Sequence, residues 1–241
     1  MQVIARVRND FPTKFGLPRQ SGLVPELVST IVFEPEFRVA EALRGIETYS
    51  HLWIIWGFHQ AIRERNGGDP KGAVSAEEKG DEVPWRPTVR PPRLGGNTRM
   101  GVFATRSPFR PNPLGLTVVK LLSVEDTAEG RVLVVSGADM MDGTPVYDIK
   151  PYLPYVDSIP EAVGGFTEEK AAYRLDVDFP EALLMQVPES QRETLLGVLA
   201  QDPRPAYQND ESRVYGFCYG SMDVRFTVRG GTLTVVEIRK E

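Results

Sequence analysis

The chain has 241 residues, 41% of them apolar and 25% charged, and a net charge of −5, which are globular proportions and exclude a mostly disordered chain. Its single cysteine, Cys218, excludes a disulfide framework and a cysteine-clustered zinc site. Twenty-two glycines and 20 prolines favour a turn-rich β protein, and no apolar run reaches the ~18 residues of a membrane span.

In chain order, Gln2–Arg8 alternates with Val3, Ala5 and Val7 on one face and predicts a strand. Leu27–Phe33, rich in Val and Ile, predicts another. Phe37, Ala40 and Leu43 have the spacing of a short helix ending before Gly45. Tyr49–Phe58 is apolar, aromatic and β-branched and reads as a central strand. Ile62–Glu82 is polar with paired glycines and reads as an excursion. Strands follow near Met100–Thr105, Leu114–Val124 and Arg131–Gly137, and Asp142-Gly143 turns the chain into Val146–Ile149. Pro151–Phe166, rich in Pro, Tyr and Gly, is expected to wrap the surface.

Beyond residue 170 the pattern changes. Tyr173–Phe179 alternates like a strand, and Glu189–Gln201 carries Leu195, Leu196, Val198 and Leu199 like a helix. Arg213–Tyr219, Asp223–Val228 and Leu233–Arg239 read as three short strands. Six or more strands with few helices before residue 165 predict a mainly β fold. The expected architecture is a small antiparallel β-barrel over 1–168, followed by a small α+β domain over 169–241.

Charge is unevenly spread. Val83–Val124 contains no acid and seven cations, Arg86, Arg90, Arg93, Arg99, Arg106, Arg110 and Lys120. The remainder holds 21 cations against 33 acids. A basic block in an acidic protein points to a polyanion site, although a solvated face would have the same charge. The block also holds seven prolines, which fix the backbone and leave less entropy to lose on binding.

Several chemistries are excluded. No G-x-G-x-x-G follows a strand, and no phosphate-binding G-x-x-x-x-G-K-[ST] or hydrolase G-x-S-x-G occurs. The two histidines, His51 and His59, lie eight residues apart on one strand pattern. At roughly 3.3 Å per residue they are too distant to share a metal ion. The start, MQVIARVRND, lacks the layout of a signal peptide, so a cytoplasmic protein is expected.

Four clusters remain: Pro18-Arg-Gln-Ser-Gly22; Ser50-His-Leu-Trp53 leading to Phe58-His-Gln60; Thr105-Arg-Ser-Pro-Phe-Arg-Pro-Asn-Pro-Leu-Gly115; and Asp142-Gly-Thr-Pro-Val-Tyr-Asp-Ile-Lys-Pro-Tyr152. In the third, Arg106 and Arg110 can clamp a carboxylate or phosphate, and the Asn112 amide can read an adenine edge. In the fourth, Asp142, Asp148 and Lys150 permit acid–base chemistry, but by themselves they read as a turn and an ion pair.

These clusters, in this order and spacing, resemble the TrmO family of tRNA methyltransferases, also called TsaA-like. The resemblance covers residues 1–165 closely and reaches the C-terminal part through Ala200-Gln-Asp-Pro-Arg-Pro-Ala-Tyr207. The departure is Ile62–Glu82, which is longer than expected. The resemblance implies an S-adenosylmethionine enzyme built on a small β-barrel, acting as a homodimer without a metal. It implies methylation of N6 of threonylcarbamoyl-adenosine, just 3′ of the anticodon in threonine tRNA. The family's cofactor positions fall on Gln20, Ser21, Gly22, His59, Gln60, Arg106, Leu116 and the stretch Ser136, Gly137, Ala138 and Asp139.

A carboxylate accepting the acceptor N–H would assist transfer, and Asp139, Asp142 and Asp148 are open choices, with Lys150 nearby. The tRNA would meet Arg86, Arg90, Arg93, Arg110 and Asn112, with Arg204 on a phosphate and Tyr207 on a base. Deleting the region after residue 170 is then expected to spare cofactor binding. The alternatives are a non-catalytic barrel that binds S-adenosylmethionine or RNA, and methylation of another adenosine.

Overall fold

A computed structural model describes residues 1–59, 86–91, 98–170, 173–204, 208 and 210–240. The excursion Ile62–Glu82 and the candidate residues Gln60, Arg93 and Tyr207 lie outside these described residues.

Twelve strands are present among the described residues, and the fold is mainly β. In chain order they are β1 (Ala5–Arg8), β2 (Val28–Phe33), β3 (His51–Gly57), β4 (Thr88–Val89), β5 (Met100–Gly101) and β6 (Leu114–Thr127). There follow β7 (Gly130–Ser136), β8 (Pro145–Pro151), β9 (Asp176–Asp178), β10 (Tyr215–Tyr219), β11 (Met222–Arg229) and β12 (Thr232–Lys240). Six of them pair antiparallel in the order β1-β2-β7-β6-β3-β8. The sheet closes on itself where Ala5 and Arg6 pair with Val146 and Pro145.

Alternation explains the filling of this ring. Leu52, Ile54 and Trp56 of β3 point inward with Ala5, Val7, Ile31, Val119, Leu133 and Val135 from the other strands. Closure leaves no free edge in this sheet.

The second unit is a four-stranded sheet, β10-β11-β12-β9, with the helix Glu189–Ala200 packed on it. Pro188 precedes that helix, and Leu195, Val198 and Leu199 form its buried face. The core of this unit is not supplied by the C-terminal residues alone. Phe11, Val24 and Leu27 are buried within it, and Phe15 and Leu17 pack against it. The segment between β1 and β2 is therefore shared by both units.

Three local predictions differ from the structure. The stretch Phe37–Leu43 is not a helix but part of three short 3-10 turns, Pro35–Phe37, Ala40–Leu43 and Ile46–Thr48. Gly45, at φ +88°, turns the chain before the last of them. The predicted strand Met100–Thr105 stops after Gly101, because Val102 turns inward and the Thr105 N–H and hydroxyl both donate to its carbonyl. Within Tyr173–Phe179 only Asp176–Asp178 pairs, running parallel to β12.

Trp56 is fixed from two sides. Its Nε1–H donates to Thr117 Oγ1 at 2.9 Å, and its ring lies on Gly115, where an added Cβ would come within 2.1 Å. Gly115→Ala is accordingly expected to cost about 1–3 kcal/mol of unfolding free energy through overpacking. Denaturant titration checks this, and an unchanged midpoint would show that the ring moves aside freely.

Candidate functional site

The site is built from two loops lashed together by backbone. Gly22 N–H donates to Gly137 O at 2.9 Å, and Gly137 N–H donates to Leu27 O at 2.8 Å. Both glycines have positive φ, +73° and +76°, and a Cβ on Gly137 would sit 3.1 Å from Gly22 Cα. Close approach and conformation together call for glycine here. Beside them the Ser136 hydroxyl donates to the Pro25 carbonyl, and Ala138 is buried in the ring core. Thus Gln20-Ser21-Gly22 and Ser136-Gly137-Ala138-Asp139 meet in space.

Asp139 emerges from this junction. Its Oδ1 accepts the Thr117 hydroxyl at 2.8 Å, and Thr117 in turn accepts Trp56 Nε1–H, so a buried chain of bonds fixes the carboxylate from β6 and β3. Burial pushes the Asp139 carboxyl above its ordinary range. Thr117, the backbone N–H groups of Asp139 and Ser21, and the positive charge of Arg106 pull it back without cancelling that effect. Arg106 donates from Nη1 to Gln20 Oε1, which carries the guanidinium to the same junction.

Around this centre, β3 and β6 lie side by side, with Ile55 opposite Leu116 and Gly57 opposite Leu114. Leu116 faces outward and is 58% exposed. Phe58 N–H donates to Pro113 O at 3.0 Å, and its ring packs 4.3 Å from that of Trp56. This places His59, the next residue, at the end of β3 where the Thr105–Gly115 motif enters β6.

Other candidates are held elsewhere. Asp142 accepts Asn9 N–H at 3.1 Å in the exposed turn before β8. Asp148 pairs with Lys150 at 3.2 Å, and both side chains are largely exposed. These are the turn and the ion pair that their spacing alone suggests. Arg86, Arg90 and Asn112 are exposed. Arg110 is turned back on its own loop, donating to Thr105 O at 3.0 Å and Ser107 O at 3.3 Å.

Arg204 is a half-buried strut. Its guanidinium binds both oxygens of Asp202 at 2.8 Å, with the Arg204 side chain only 10% exposed. Asp202 has φ +54°, unusual for a residue other than glycine. Burial alone would raise its carboxyl, but bonds from Arg204 and Tyr173 outweigh that and hold it below the usual range. Arg19, next to Gln20, donates to the Arg204 carbonyl at 2.8 Å and ties this loop to the site.

Thr117, Trp56 and Arg19 were not among the sequence candidates. A polar residue at an inward position of Leu114–Val124 was the available signal for Thr117. Among the described residues no three His, Cys, Asp or Glu side chains gather to hold a metal, and no helix is long and apolar enough to cross a membrane.

A closed antiparallel sheet with two glycine-joined loops that bring an Arg and a half-buried carboxylate together is a mainly β architecture and not a nucleotide-binding Rossmann sheet. The chain matches the family model of the tRNA-methyltransferase O N-terminal domain over residues 6–158, and that of the TrmO C-terminal domain over residues 172–241. It is 40% identical over 233 residues to a tRNA (adenine(37)-N6)-methyltransferase of Escherichia coli, covering 93% of this chain and 91% of the relative. An enzyme of the same description from Eikenella corrodens is 43% identical over 185 residues, 76% of this chain and 93% of that one. A crystal structure of TrmO from Pseudomonas aeruginosa superposes with a TM-score of 0.72 at 32% identity, covering 99% of this chain and 98% of that chain. The chain belongs to the TrmO family.

The raised Asp139 carboxyl has a consequence for stability. A carboxyl whose folded pKa exceeds its unfolded value favours the fold when protonated, and that contribution is lost as pH rises through the folded pKa. Asp139→Asn keeps an oxygen for Thr117 and removes the buried charge. It is expected to raise the unfolding midpoint at neutral pH, with the gain shrinking as pH falls into the carboxylate range. Urea unfolding of both proteins across pH checks this, and a lower midpoint for the variant at pH 7 would contradict the burial argument.

Proposed function

We propose that the protein transfers a methyl group from S-adenosylmethionine to N6 of adenine 37 in tRNA, and that its acceptor is threonylcarbamoyl-adenosine of threonine tRNA. The observation that carries the reading is the joined pair of loops that brings Gln20, Ser21, Gly22, Arg106 and Asp139 to one point. The relatives named above, described as tRNA (adenine(37)-N6)-methyltransferases and matched over 93% and 76% of this chain, supply the class of reaction.

The residues present suit that cofactor. Arg106 offers a guanidinium for an amino-acid carboxylate. Gly22 and Gly137 let backbone approach a flat or ribosyl group closely, and Leu116 offers an apolar wall. Asp139 can accept hydroxyl or N–H donors. The bound cofactor supplies a methyl group already activated on a sulfonium. The chain's own contribution is then to orient, to exclude water and to hold a proton acceptor in place. Of the three carboxylates, Asp139 is the one with a half-buried setting at the junction. The reading gives it the role of accepting hydrogen from the ligand or the acceptor nitrogen.

The acid-free block and the C-terminal unit supply the tRNA face in this reading, with residues 1–168 catalytic and 169–241 assisting. Arg204 contributes there by shaping its loop and not by reaching a phosphate. Pairing of two chains fits the apolar side chains left exposed in Tyr155, Val156, Ile159 and Val163, and on β6 in Leu116 and Leu122. A tRNA substrate agrees with a cytoplasmic setting.

The central test incubates the protein with labelled S-adenosylmethionine and threonine tRNA, with and without the threonylcarbamoyl group, followed by nucleoside mass spectrometry. Methylation confined to the modified tRNA is expected, and methylation of neither would overturn the reading. Arg106→Ala should weaken cofactor binding about 10- to 150-fold, the worth of a charge-assisted contact, while Lys120→Ala on β6 changes little. Equal behaviour of the two variants in calorimetric titration would remove Arg106 from the site.

Truncation after residue 170 should affect the cofactor as well as tRNA. It uncovers Phe11, Val24 and Leu27 and deletes the carbonyl that Arg19 binds, so the Gln20–Gly22 loop loses one of its two supports. This differs from the expectation drawn from motif positions alone. Unchanged affinity for S-adenosylhomocysteine in the truncated chain would show that the ring suffices to hold the loop.

A further inference from the structure

One hydroxyl stands where the alternation of β6 calls for an apolar side chain. Gly115, Thr117, Val119 and Leu121 form the buried face of that strand, and Thr117 is only 4% exposed. A buried hydroxyl must be bonded, and this one is bonded on both sides. It accepts the Trp56 indole N–H at 2.9 Å and donates to Asp139 Oδ1 at 2.8 Å. The order of donors is fixed by chemistry. An indole N–H can only donate, so Trp56 cannot take the Thr117 hydrogen. Among the described residues that hydrogen has no other acceptor, and its burial keeps water away. Asp139 Oδ1 is therefore committed to accepting it.

This commitment divides the carboxyl group. A proton on Oδ1 would point a second hydrogen at Thr117 and leave the hydroxyl hydrogen unpaired in a dry interior. A proton that Asp139 carries must then sit on Oδ2. Asp139 is half-buried at the junction of the two loops, whereas Thr117 and Trp56 are buried beneath it. Burial raises the carboxyl, and Thr117 is foremost among the groups that pull it back, ahead of its own backbone N–H, the charge of Arg106 and the Ser21 backbone. All of these are donors or positive charge, and none competes to take a proton from Asp139.

We propose that Thr117 is a positioning residue for Asp139, one that holds Oδ1 as a fixed acceptor and reserves Oδ2 for hydrogen from the bound molecule. The proposal rests on the role given to Asp139 above and adds to it the oxygen that acts and the side chain that selects it. Serine keeps the hydroxyl and can do the same. Valine has the shape of threonine without the hydroxyl and cannot.

The experiment compares Thr117→Val, Thr117→Ser and Trp56→Phe with the wild-type chain, each with and without Asp139→Asn. Urea unfolding across pH, taken as the difference between each protein and its Asp139→Asn partner, reads the titration of Asp139 with no ligand present. Methyl transfer, as kcat and KM against pH, and binding of S-adenosylhomocysteine are measured on the same proteins. Thr117→Val removes a donor that favours the charged carboxylate. Asp139 is therefore expected to titrate at higher pH, and the acid limb of kcat should move up with it. At neutral pH kcat should fall about 10- to 150-fold, the worth of a hydrogen bond to a charged group, with KM changing far less. Thr117→Ser should restore the titration and most of kcat. Trp56→Phe removes the indole N–H while Thr117 still donates, so it should lower stability and leave the titration near that of wild type. Thr117→Ala replaces the valine variant if that does not fold. A wild-type titration in Thr117→Val overturns the proposal, as does failure of serine to restore it. Loss of S-adenosylhomocysteine binding with full kcat also overturns it, and assigns the hydroxyl to holding the cofactor. If the wild-type chain transfers no methyl group, the functional reading fails, and the ligand-free titration still decides what Thr117 does to Asp139.

Discussion

The site depends on one short contact, the double backbone bond between the loop after β1 and the loop after β7. Gly22 and Gly137 approach so closely that a side chain on Gly137 would strike the Gly22 backbone. Without that approach Ser21 would not reach Asp139, and Gln20 would not reach Arg106. Everything around it serves to keep the two loops in register. The closed sheet holds one end of each, and Thr117 with Trp56 fixes the carboxylate from beneath. Each of these bonds is worth only about 1 kcal/mol net, but together they leave the polar groups little freedom to lose on binding.

The fold class was readable because its elements obey simple periodicities. The strands from Leu27 to Phe33 and from Leu114 onward are long, apolar and β-branched, and they fall within a few residues of where the pattern places them. The failures share a cause. Phe37–Leu43 has helical spacing but is too short to stand alone, and packing on the ring resolves it into separate turns. Met100–Thr105 looks like a strand until Val102 is drawn into the core. A local pattern does not reveal which neighbour a short segment will meet.

The candidate site was legible in a different way. Its residues stand in four motifs, and their order suggested the family. Physical reading of the residues alone offered three acidic candidates and no means of choosing among them. The structure separates them by environment: Asp142 closes a turn, Asp148 faces Lys150, and Asp139 sits half-buried at the loop junction. Arg204 shows the reverse error. A basic residue in a motif suggests a phosphate, but this one is spent on Asp202, and its carbonyl is the part that is tied to the candidate site through Arg19. Charge along a sequence counts cations without showing which are already paired.

The shared segment between β1 and β2 also bears on how the chain is made. Its apolar residues are made well before their partners: Gln191 bonds Asp10 across 181 residues, and Arg204 accepts from Arg19 across 185. At about 5–20 residues per second, Phe11, Val24 and Leu27 wait on the order of 10–40 s for their cover. During that interval the closed sheet can form while the Gln20–Gly22 loop still lacks one of its supports. The emerging chain therefore carries an exposed apolar strap beside a finished ring until the second sheet is made.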